Sequence, residues 1–151
     1  MKRLLLLVIG TAILLQAGSR ASSTAAVTFI PATKVSAAFQ KGMPLLETAG
    51  YKIHASRREE PGMAEVHVRD TDIIYVLDGT ATVVTGGDVV DGKTVATDEI
   101  RGARVRGGET QRLQKGDVFV VPNGVPHWFK EVQAPLLYYV VKATAPAGGT
   151  Q

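Results

Sequence analysis

The stretch GDVFVVPNGVPHWFKE, residues 116–131, decides the fold of this chain. It opens on Gly116, continues through four β-type residues and breaks at Pro122-Asn123-Gly124. Pro122 and Pro126 stiffen the approach to His127, where a second β-type run begins. The stretch therefore predicts a strand, a rigid turn and a second strand that carries a histidine at its start.

Short β-type runs of the same kind follow one another along the chain after Gly50. Turn-forming pairs separate them, among them Asp78-Gly79 and Gly107-Gly108. Many short strands at close spacing predict an all-β sandwich or barrel built from antiparallel strands. The predicted strands are 51–56, 64–68, 73–77, 80–85, 104–106, 110–113, 118–121, 128–132 and 136–142.

The sequence also predicts the structure of the segments between and before these strands. Asp78-Gly79 predicts a hairpin turn between strands 73–77 and 80–85. Residues 89–98 predict a polar surface connection, and the arginines at 101, 104 and 106 predict a solvated loop, since acidic residues flank them. Residues 34–41 predict a helix of about two turns that ends at Gly42.

The N-terminal residues have the pattern of a secretory signal peptide. Lys2 and Arg3 precede an uncharged, mostly apolar run over 4–15, and small residues follow up to Ala21. The run spans only about 18 Å as a helix, against roughly 30 Å for a hydrocarbon core. The alternative is an uncleaved membrane anchor. We expect a signal peptide over 1–21, cleaved after Ser19 or Ala21, and an exported, periplasmic or secreted protein without a membrane partner after cleavage.

The mature chain then divides into a lead-in segment with the short helix (22–49), the barrel (50–142) and a flexible tail (143–151). Its charge restricts the partners that it can have. The full chain has 17 lysines and arginines against 14 aspartates and glutamates, for a formal net charge of +3. Loss of the signal peptide removes Lys2, Arg3 and Arg20 and leaves 14 basic residues against 14 acidic ones. A neutral mature chain argues against a nucleic-acid partner.

Cysteine is absent from the sequence. Its absence excludes a disulfide framework, thiolate metal ligands and a cysteine nucleophile. Any metal site in this chain must therefore be built from imidazole and carboxylate groups.

Two of the three histidines stand at an informative distance from carboxylates. Glu65 and His67 lie two residues apart on a predicted strand, so both side chains leave the same face. Asp72 follows after a turn, and His127 opens a later strand. If the four side chains converge, they form a site for a divalent transition metal: Fe, Mn, Ni, Co or Zn. The alternative is a metal-free polar pocket, in which Glu65 and Asp72 hydrogen-bond to the histidines.

Strand parity predicts the walls of this pocket. Ile74 and Val76 share a face with Asp72, and Phe129 shares a face with His127. These three residues predict a largely apolar wall. His54 belongs to another predicted strand and is expected at the surface or at the rim of the pocket.

Residues 116–131 resemble a motif of the cupins, small barrels with a double-stranded β-helix (jelly-roll) fold. Their second motif runs Gly, five residues, Pro-x-Gly, two residues, His, three residues, Asn. Gly116, Pro122, Gly124 and His127 stand at those positions, and Glu131 stands where the asparagine is usual.

The first cupin motif is matched in part. It runs His-x-His, three or four residues, Glu, six residues, Gly. His67 and Gly79 match it, whereas Glu65 replaces the first histidine and Asp72 replaces the glutamate. The resemblance covers residues 50–142 and is greatest to small, secreted, single-domain bacterial cupins.

This resemblance implies a jelly-roll barrel, a homodimer with edge strands paired between barrels, and a metal at the positions of Glu65, His67, Asp72 and His127. Asp72 is one methylene shorter than the usual ligand, so we expect it to stop roughly 1.5 Å short and to act through water. His67, His127 and one carboxylate would still form the facial triad of non-haem iron chemistry.

Two functions from different classes follow from these residues. The first is a metal-dependent oxygenase or isomerase of a small molecule, in which an uncoordinated Glu65 or Asp72 serves as general base. The second is a non-catalytic barrel that binds a small ligand without metal, which the altered first motif favours. The barrel hosts many chemistries and does not by itself select between the two.

Overall fold

A computed structural model describes residues 26–146 of the chain. The predicted signal peptide over 1–21 lies outside these residues, as do residues 147–151 of the predicted tail. The described part is an all-β barrel with a short N-terminal helix, which confirms the predicted fold class. Its elements are α1 (Ala32–Lys41), β1 (Met43–Glu47), β2 (Tyr51–Arg58), β3 (Ala64–His67), β4 (Asp70–Thr85), β5 (Asp88–Val90), β6 (Lys93–Ala96), β7 (Glu99–Gly102), β8 (Arg104–Arg106), β9 (Glu109–Gln114), β10 (Val118–Val121) and β11 (His127–Thr144).

The helix α1 begins two residues before the predicted start and ends where the sequence predicts. Pro31 precedes it with φ −67°, and Gly42 ends it in the left-handed region with φ 67°. Phe39 meets Tyr139 of β11 edge to face, with ring centroids 5.0 Å apart. The helix therefore covers the outer face of the sheet next to β11.

The strand β11 is the longest in the described chain and pairs along both of its edges. One edge pairs with β2 over Leu136–Ala143 and with β3 at His127. The other edge pairs with β4 almost from end to end. The strands predicted separately at 128–132 and 136–142 are thus one irregular strand, which also takes in residues 143 and 144 of the predicted tail.

The prediction of a hairpin turn at Asp78-Gly79 is wrong, because these two residues lie inside β4, a single strand of 16 residues. Its first half pairs with β10 and its second half with β9, while β11 accompanies both halves. Gly79 has φ 81°, and a Cβ atom built on it would lie 2.5 Å from the carbonyl oxygen of Pro135 on β11. The glycine therefore permits a bend and a close strand contact here instead of a chain reversal.

The region 89–106 is also more regular than its polar sequence predicts. The predicted surface connection contains part of β5 and all of β6, and the predicted solvated arginine loop contains β7 and β8. The strand β6 is exposed along its whole length and pairs with β7, and β5 pairs with β8 in a separate two-stranded sheet. These strands form because they pair with one another, and such pairing cannot be predicted from the polarity of each segment.

The hydrophobic core lies between the inward faces of the strands. Its buried cluster is made of Ile74, Val76, Ala81, Val83, Leu113, Phe129, Leu136, Tyr138 and Val140. All of these except Leu113 lie on β4 or β11. None of the helices in the described part of the chain is long and apolar enough to span a membrane.

The bend at Gly79 generates a prediction about stability. Gly79→Ala should destabilise the protein by about 3 kcal/mol, because the methyl group meets backbone atoms and the positive φ strains an L-residue. Gly116 is the matched control: its φ is 93°, and a Cβ atom there meets nothing within 4 Å. Gly116→Ala should cost only about 1 kcal/mol. Equal losses for the two variants in urea unfolding would show that β11 does not press on Gly79.

Candidate metal centre

Three side chains converge where β3 meets β11. Glu65 and His67 leave the same face of β3, and the register places Glu65 directly opposite His127. One ligand atom from each residue lies within 4.8 Å of the other two. The Oε2 atom of Glu65 is 3.8 Å from Nε2 of His67 and 3.9 Å from Nε2 of His127. The structure thus brings together three of the four residues predicted to hold a metal.

Both imidazoles are anchored through the nitrogen that faces away from this cluster. Nδ1 of His67 lies 2.5 Å from Oε2 of Glu99, and Nδ1 of His127 makes a long contact of 3.5 Å to the carbonyl oxygen of Val125. Each partner only accepts hydrogen bonds, so each Nδ1 carries the proton and each Nε2 is left with its lone pair. This is the tautomer that a metal-ligating histidine requires.

The fourth predicted ligand, Asp72, is bound by a lysine. Lys142 on β11 lies directly opposite Asp72 on β4, and its Nζ donates to the two carboxylate oxygens at 2.7 and 2.8 Å. The same Nζ lies 2.8 Å from Nε2 of His67, while Oδ2 of Asp72 is 3.3 Å from that nitrogen. Asp72 therefore lies beside the cluster with both oxygens engaged by Lys142, and it is not one of the three converging ligands.

Two arginines lie within ion-pair distance of the outer oxygen of Glu65. Oε1 is 3.8 Å from Nη2 of Arg58 and 3.9 Å from Nη2 of Arg101. Arg58 is itself fixed, because its Nε donates to the Tyr138 hydroxyl at 3.0 Å and its guanidinium lies 4.3 Å from the centre of the Phe129 ring. At these distances the arginines form ion pairs without a hydrogen bond, and they offset the negative charge of Glu65.

The cluster lines a cavity of about 360 Å³. Ile74 and Phe129 line it, whereas Val76 on the same face of β4 packs in the core and is not among the lining residues. His54 lies at the rim of the cavity, and its Nε2 is 2.9 Å from Oε1 of Glu47. The wall is not largely apolar, because four lysines and arginines and four carboxylates also line it: Lys52, Arg58, Arg101, Lys142, Glu65, Asp70, Asp72 and Glu99.

The buried groups shift one another's pKa in opposite directions. Burial lowers the pKa of His127, and the charge of His67 lowers it further. Burial and the charge of Lys142 oppose protonation of His67, but the hydrogen bond to Asp72 and the charges of Asp72 and Glu99 outweigh them, so the pKa of His67 is raised. Burial favours the neutral form of Asp72, but His67 and Lys142 outweigh it and lower the pKa of that carboxyl group. His127 is therefore the imidazole that stays neutral.

For His67, the short contact with Lys142 and the raised pKa describe two different arrangements. A lysine ammonium can lie 2.8 Å from Nε2 only if that nitrogen offers its lone pair. A protonated His67 must instead direct its Nε2 hydrogen to Asp72, and Lys142 must then withdraw. The distances correspond to the neutral form, which is also the form that binds a metal.

The residues present fit a divalent transition metal with three protein ligands. Two imidazole nitrogens and one carboxylate oxygen are a donor set that such ions accept, and both imidazoles have an oxygen acceptor behind them. Ligand atoms bound at about 2.1 Å in a tetrahedron lie about 3.4 Å apart. The separations of 3.8 and 3.9 Å between Oε2 of Glu65 and the two Nε2 atoms therefore need to close by about 0.5 Å.

Comparison with known proteins agrees with this architecture. A family model described as Cupin matches residues 21–150. The chain belongs to the cupin family. No curated protein sequence matches it.

Solved structures resemble this cupin in fold. A protein with a double-stranded beta-helix domain from Klebsiella pneumoniae is 19% identical with a TM-score of 0.51, over 81% of this chain and 95% of that one. Protein NMB1881 from Neisseria meningitidis is 14% identical with a TM-score of 0.53, over 78% and 100%. Hydroquinone 1,2-dioxygenase from Sphingomonas sp. TTNP3, solved with 4-hydroxybenzoate bound, is 18% identical with a TM-score of 0.51, over 70% and 66%. At these identities the likeness concerns the fold alone.

Sequence reasoning missed Glu99, Arg101, Arg58 and Lys142. For Arg58 a parity pattern was available, since Lys52, His54, Ser56 and Arg58 alternate along β2 and all line the cavity. For Glu99 and Arg101 the interpretation as a loop concealed the alternation of β7. Lys142 shares its parity with Tyr138 and Val140, both of which point inward.

The Lys142–Asp72 pair generates a prediction about acid stability. Asp72→Asn leaves a buried ammonium without its carboxylate and should destabilise the protein by about 3 kcal/mol at neutral pH. Because the folded pKa of Asp72 lies below the unfolded value of 3.8, its contribution is present above that value and is lost as the pH falls through the folded pKa. The variant's urea stability should therefore decline less steeply below pH 4 than that of the wild type.

Asp70→Asn is the matched control, since Asp70 lies two positions before Asp72 on β4 and pairs with Lys52 of β2 in a more exposed setting. Its loss should be about 1 kcal/mol at neutral pH. An Asp72 variant that is no less stable than this control would contradict the view that the Lys142–Asp72 pair is energetically important.

Proposed function

We propose that this cupin is a metal-dependent enzyme, an oxygenase or an isomerase, whose substrate is a small molecule. The observation that carries the proposal is the convergence of Glu65, His67 and His127 within 4.8 Å at a cavity. Two imidazoles and one carboxylate resemble the facial triad of non-haem iron proteins and leave coordination positions for a substrate. When bound there, a divalent metal supplies Lewis-acid or redox chemistry.

The chain's own residues perform the remaining tasks. Glu99 and the Val125 carbonyl group hold the imidazole rings, and Arg58 and Arg101 hold the carboxylate of Glu65. Such support fixes the ligand atoms before anything binds, which reduces the cost of organising the site. Ile74 and Phe129 keep part of the wall free of hydrogen-bonding groups.

The cavity favours a small polar substrate. A volume of about 360 Å³ is near the lower end of the range for ligand pockets. The lysines and arginines of the wall face carboxylates of the wall, so a substrate meets alternating donors and acceptors. Lys142 and Asp72 lie next to the metal ligands, where Nζ can donate a proton to a substrate oxygen and the carboxylate can accept one. The likeness to hydroquinone 1,2-dioxygenase supports only that this barrel can house such an enzyme.

A second function is favoured by one specific observation. Lys142 hydrogen-bonds to Nε2 of His67, so this ligand nitrogen has a partner without a metal. In this alternative the protein is a non-catalytic cupin that binds a small ligand among these charges. Ligand-dependent thermal stabilisation in the presence of a chelator supports this function and contradicts the first.

Metal analysis tests the first function. Purified wild-type protein should contain, or take up, about one equivalent of Fe²⁺, Mn²⁺, Ni²⁺, Co²⁺ or Zn²⁺ per chain, as expected for a single mononuclear site. His127→Ala should abolish uptake, because it removes one of three ligands. Glu99→Gln should weaken affinity by about 10- to 100-fold, because it removes the support of His67.

His54→Ala and Glu59→Gln are the controls for these variants. His54 is a rim histidine bound to Glu47, and Glu59 pairs with Arg57 outside the cavity lining. Neither should change metal uptake. Absence of any metal from the wild type, together with no uptake of the five ions, would overturn the proposal.

We also propose that the protein is exported and forms a homodimer. Export is supported by the sequence of residues 1–21 alone. A dimer is supported by the outer face of β4 and β10, where Ile73, Tyr75, Val118 and Val120 are 40 to 65% exposed. Among the described strands β10 pairs only with β4, so its other edge can pair with a second copy. N-terminal sequencing and sedimentation of exported protein test both; a chain that starts at Met1 or sediments as a monomer contradicts one of them.

A further inference from the structure

Lys142 occupies an unusual position for a cation. Its Nζ lies within 2.8 Å of three acceptors, namely both oxygens of Asp72 and Nε2 of His67. An ammonium group has three N–H donors, so these contacts use all of them. The side chain is only 15% exposed, and that of Asp72 only 6%. The ammonium is thus enclosed by the groups that line the candidate metal centre.

These contacts conflict with metal binding at two residues, His67 and Asp72. Nε2 of His67 has one lone pair, which can serve Lys142 or a metal but not both. The carboxylate of Asp72, at the fourth ligand position implied by the cupin motif, is engaged by Lys142 through both oxygens. A divalent ion that enters must therefore displace the ammonium from His67 and approach a like charge.

We propose that Lys142 is a built-in competitor of the metal and determines how tightly the site binds it. The inference rests on the proposed function, since it concerns the same three ligands. While the ammonium stays in place, it occupies His67 and withholds Asp72, which leaves Glu65 and His127 for the metal. Displacement of the ammonium from His67 adds a third protein ligand. Removal of Lys142 should free His67 and allow Asp72 to reach the metal directly or through one water molecule.

The neighbouring pair Lys52–Asp70 provides a matched control. Lys52 lies opposite Lys142 across β2 and β11, and its Nζ donates to Oδ2 of Asp70 at 2.6 Å. It lines the same cavity, and its hydrogen bond is to Asp70, not to His67 or Asp72. Lys52→Met therefore removes the same charge from the same cavity without freeing a metal ligand.

The experiment is a calorimetric and spectroscopic titration of Co²⁺ into metal-free protein. Lys142→Met should bind Co²⁺ at least about tenfold more tightly than the wild type, and Lys52→Met should stay within about twofold. The double variant Lys142→Met/Asp72→Asn should lie between the wild type and Lys142→Met, because His67 is freed but the carboxylate is lost. The visible Co²⁺ spectrum should differ between these two variants, since their ligand sets differ.

The double variant also protects the test against misfolding. Lys142→Met alone leaves a buried carboxylate without a cation, whereas the double variant removes both charges. If Lys142→Met does not fold, the double variant should still exceed the wild type in affinity for Co²⁺. If both fold and bind Co²⁺ equally with the same spectrum, Asp72 does not reach the metal, and the part of the inference that concerns Asp72 is overturned.

The remaining outcomes separate this inference from the proposed function. If the wild type binds Co²⁺ and neither Lys142 variant binds it more tightly, the inference fails and the proposed function stands. If only the Lys142 variants bind Co²⁺, the inference stands, and the proposed function of the wild type fails when the wild type also takes up none of the other four ions. If no variant binds Co²⁺, the inference is overturned, and the proposed function falls with it under the same condition. A gain in Lys52→Met equal to that in Lys142→Met overturns the inference, because general charge then explains the effect.

Discussion

The pairing of β11 along both of its edges is the constraint on which the rest of the structure depends. It places His127 opposite Glu65 on β3 and Lys142 opposite Asp72 on β4. One strand thereby contributes a candidate metal ligand near its start and the competing cation near its end. The register is enforced by burial, since a slip of one residue would turn Phe129 and its inward neighbours outward. The candidate metal centre is therefore a consequence of how the core packs.

The inward parity changes along this strand, and the change explains what sequence reasoning could reach. His127 and Phe129 are odd-numbered and buried, whereas Leu136 and Tyr138 are even-numbered and buried. The register shifts between Phe129 and Glu131, and again between Gln133 and Tyr138, produce this switch. Counting by twos from His127 places residue 142 on the outer face. Lys142 is placed on the inner face only if the alternation is counted from the buried residues Leu136, Tyr138 and Val140.

The fold was predictable because its decisive residues act locally. Pro122, Gly124 and His127 define a turn and the strand that follows it, and Glu65 and His67 need only strand alternation to share a face. The prediction of a hairpin at Asp78-Gly79 failed because it used only the local preference of this pair for a turn. The strand β11, which is distant in sequence, pairs with β4 on both sides of the pair and keeps β4 continuous. Glu99 and Arg101 were missed for a related reason: β7 exists because β3 and β6 pair with it, and its own four residues do not predict a strand.

The charges of the site are balanced without a metal, and this balance limits how a metal can enter. The carboxylates are those of Glu65, Asp72 and Glu99, and the cations opposite them are Arg58, Arg101 and Lys142. Each of the two departures from the first cupin motif has a cation beside it, two arginines at Glu65 and a lysine at Asp72. A divalent ion added to this set leaves two positive charges uncompensated in a mostly buried volume, which is costly at low effective dielectric constant. An anion that arrives with the metal, whether hydroxide or an acidic substrate, reduces that cost, so metal and anion should each strengthen the binding of the other.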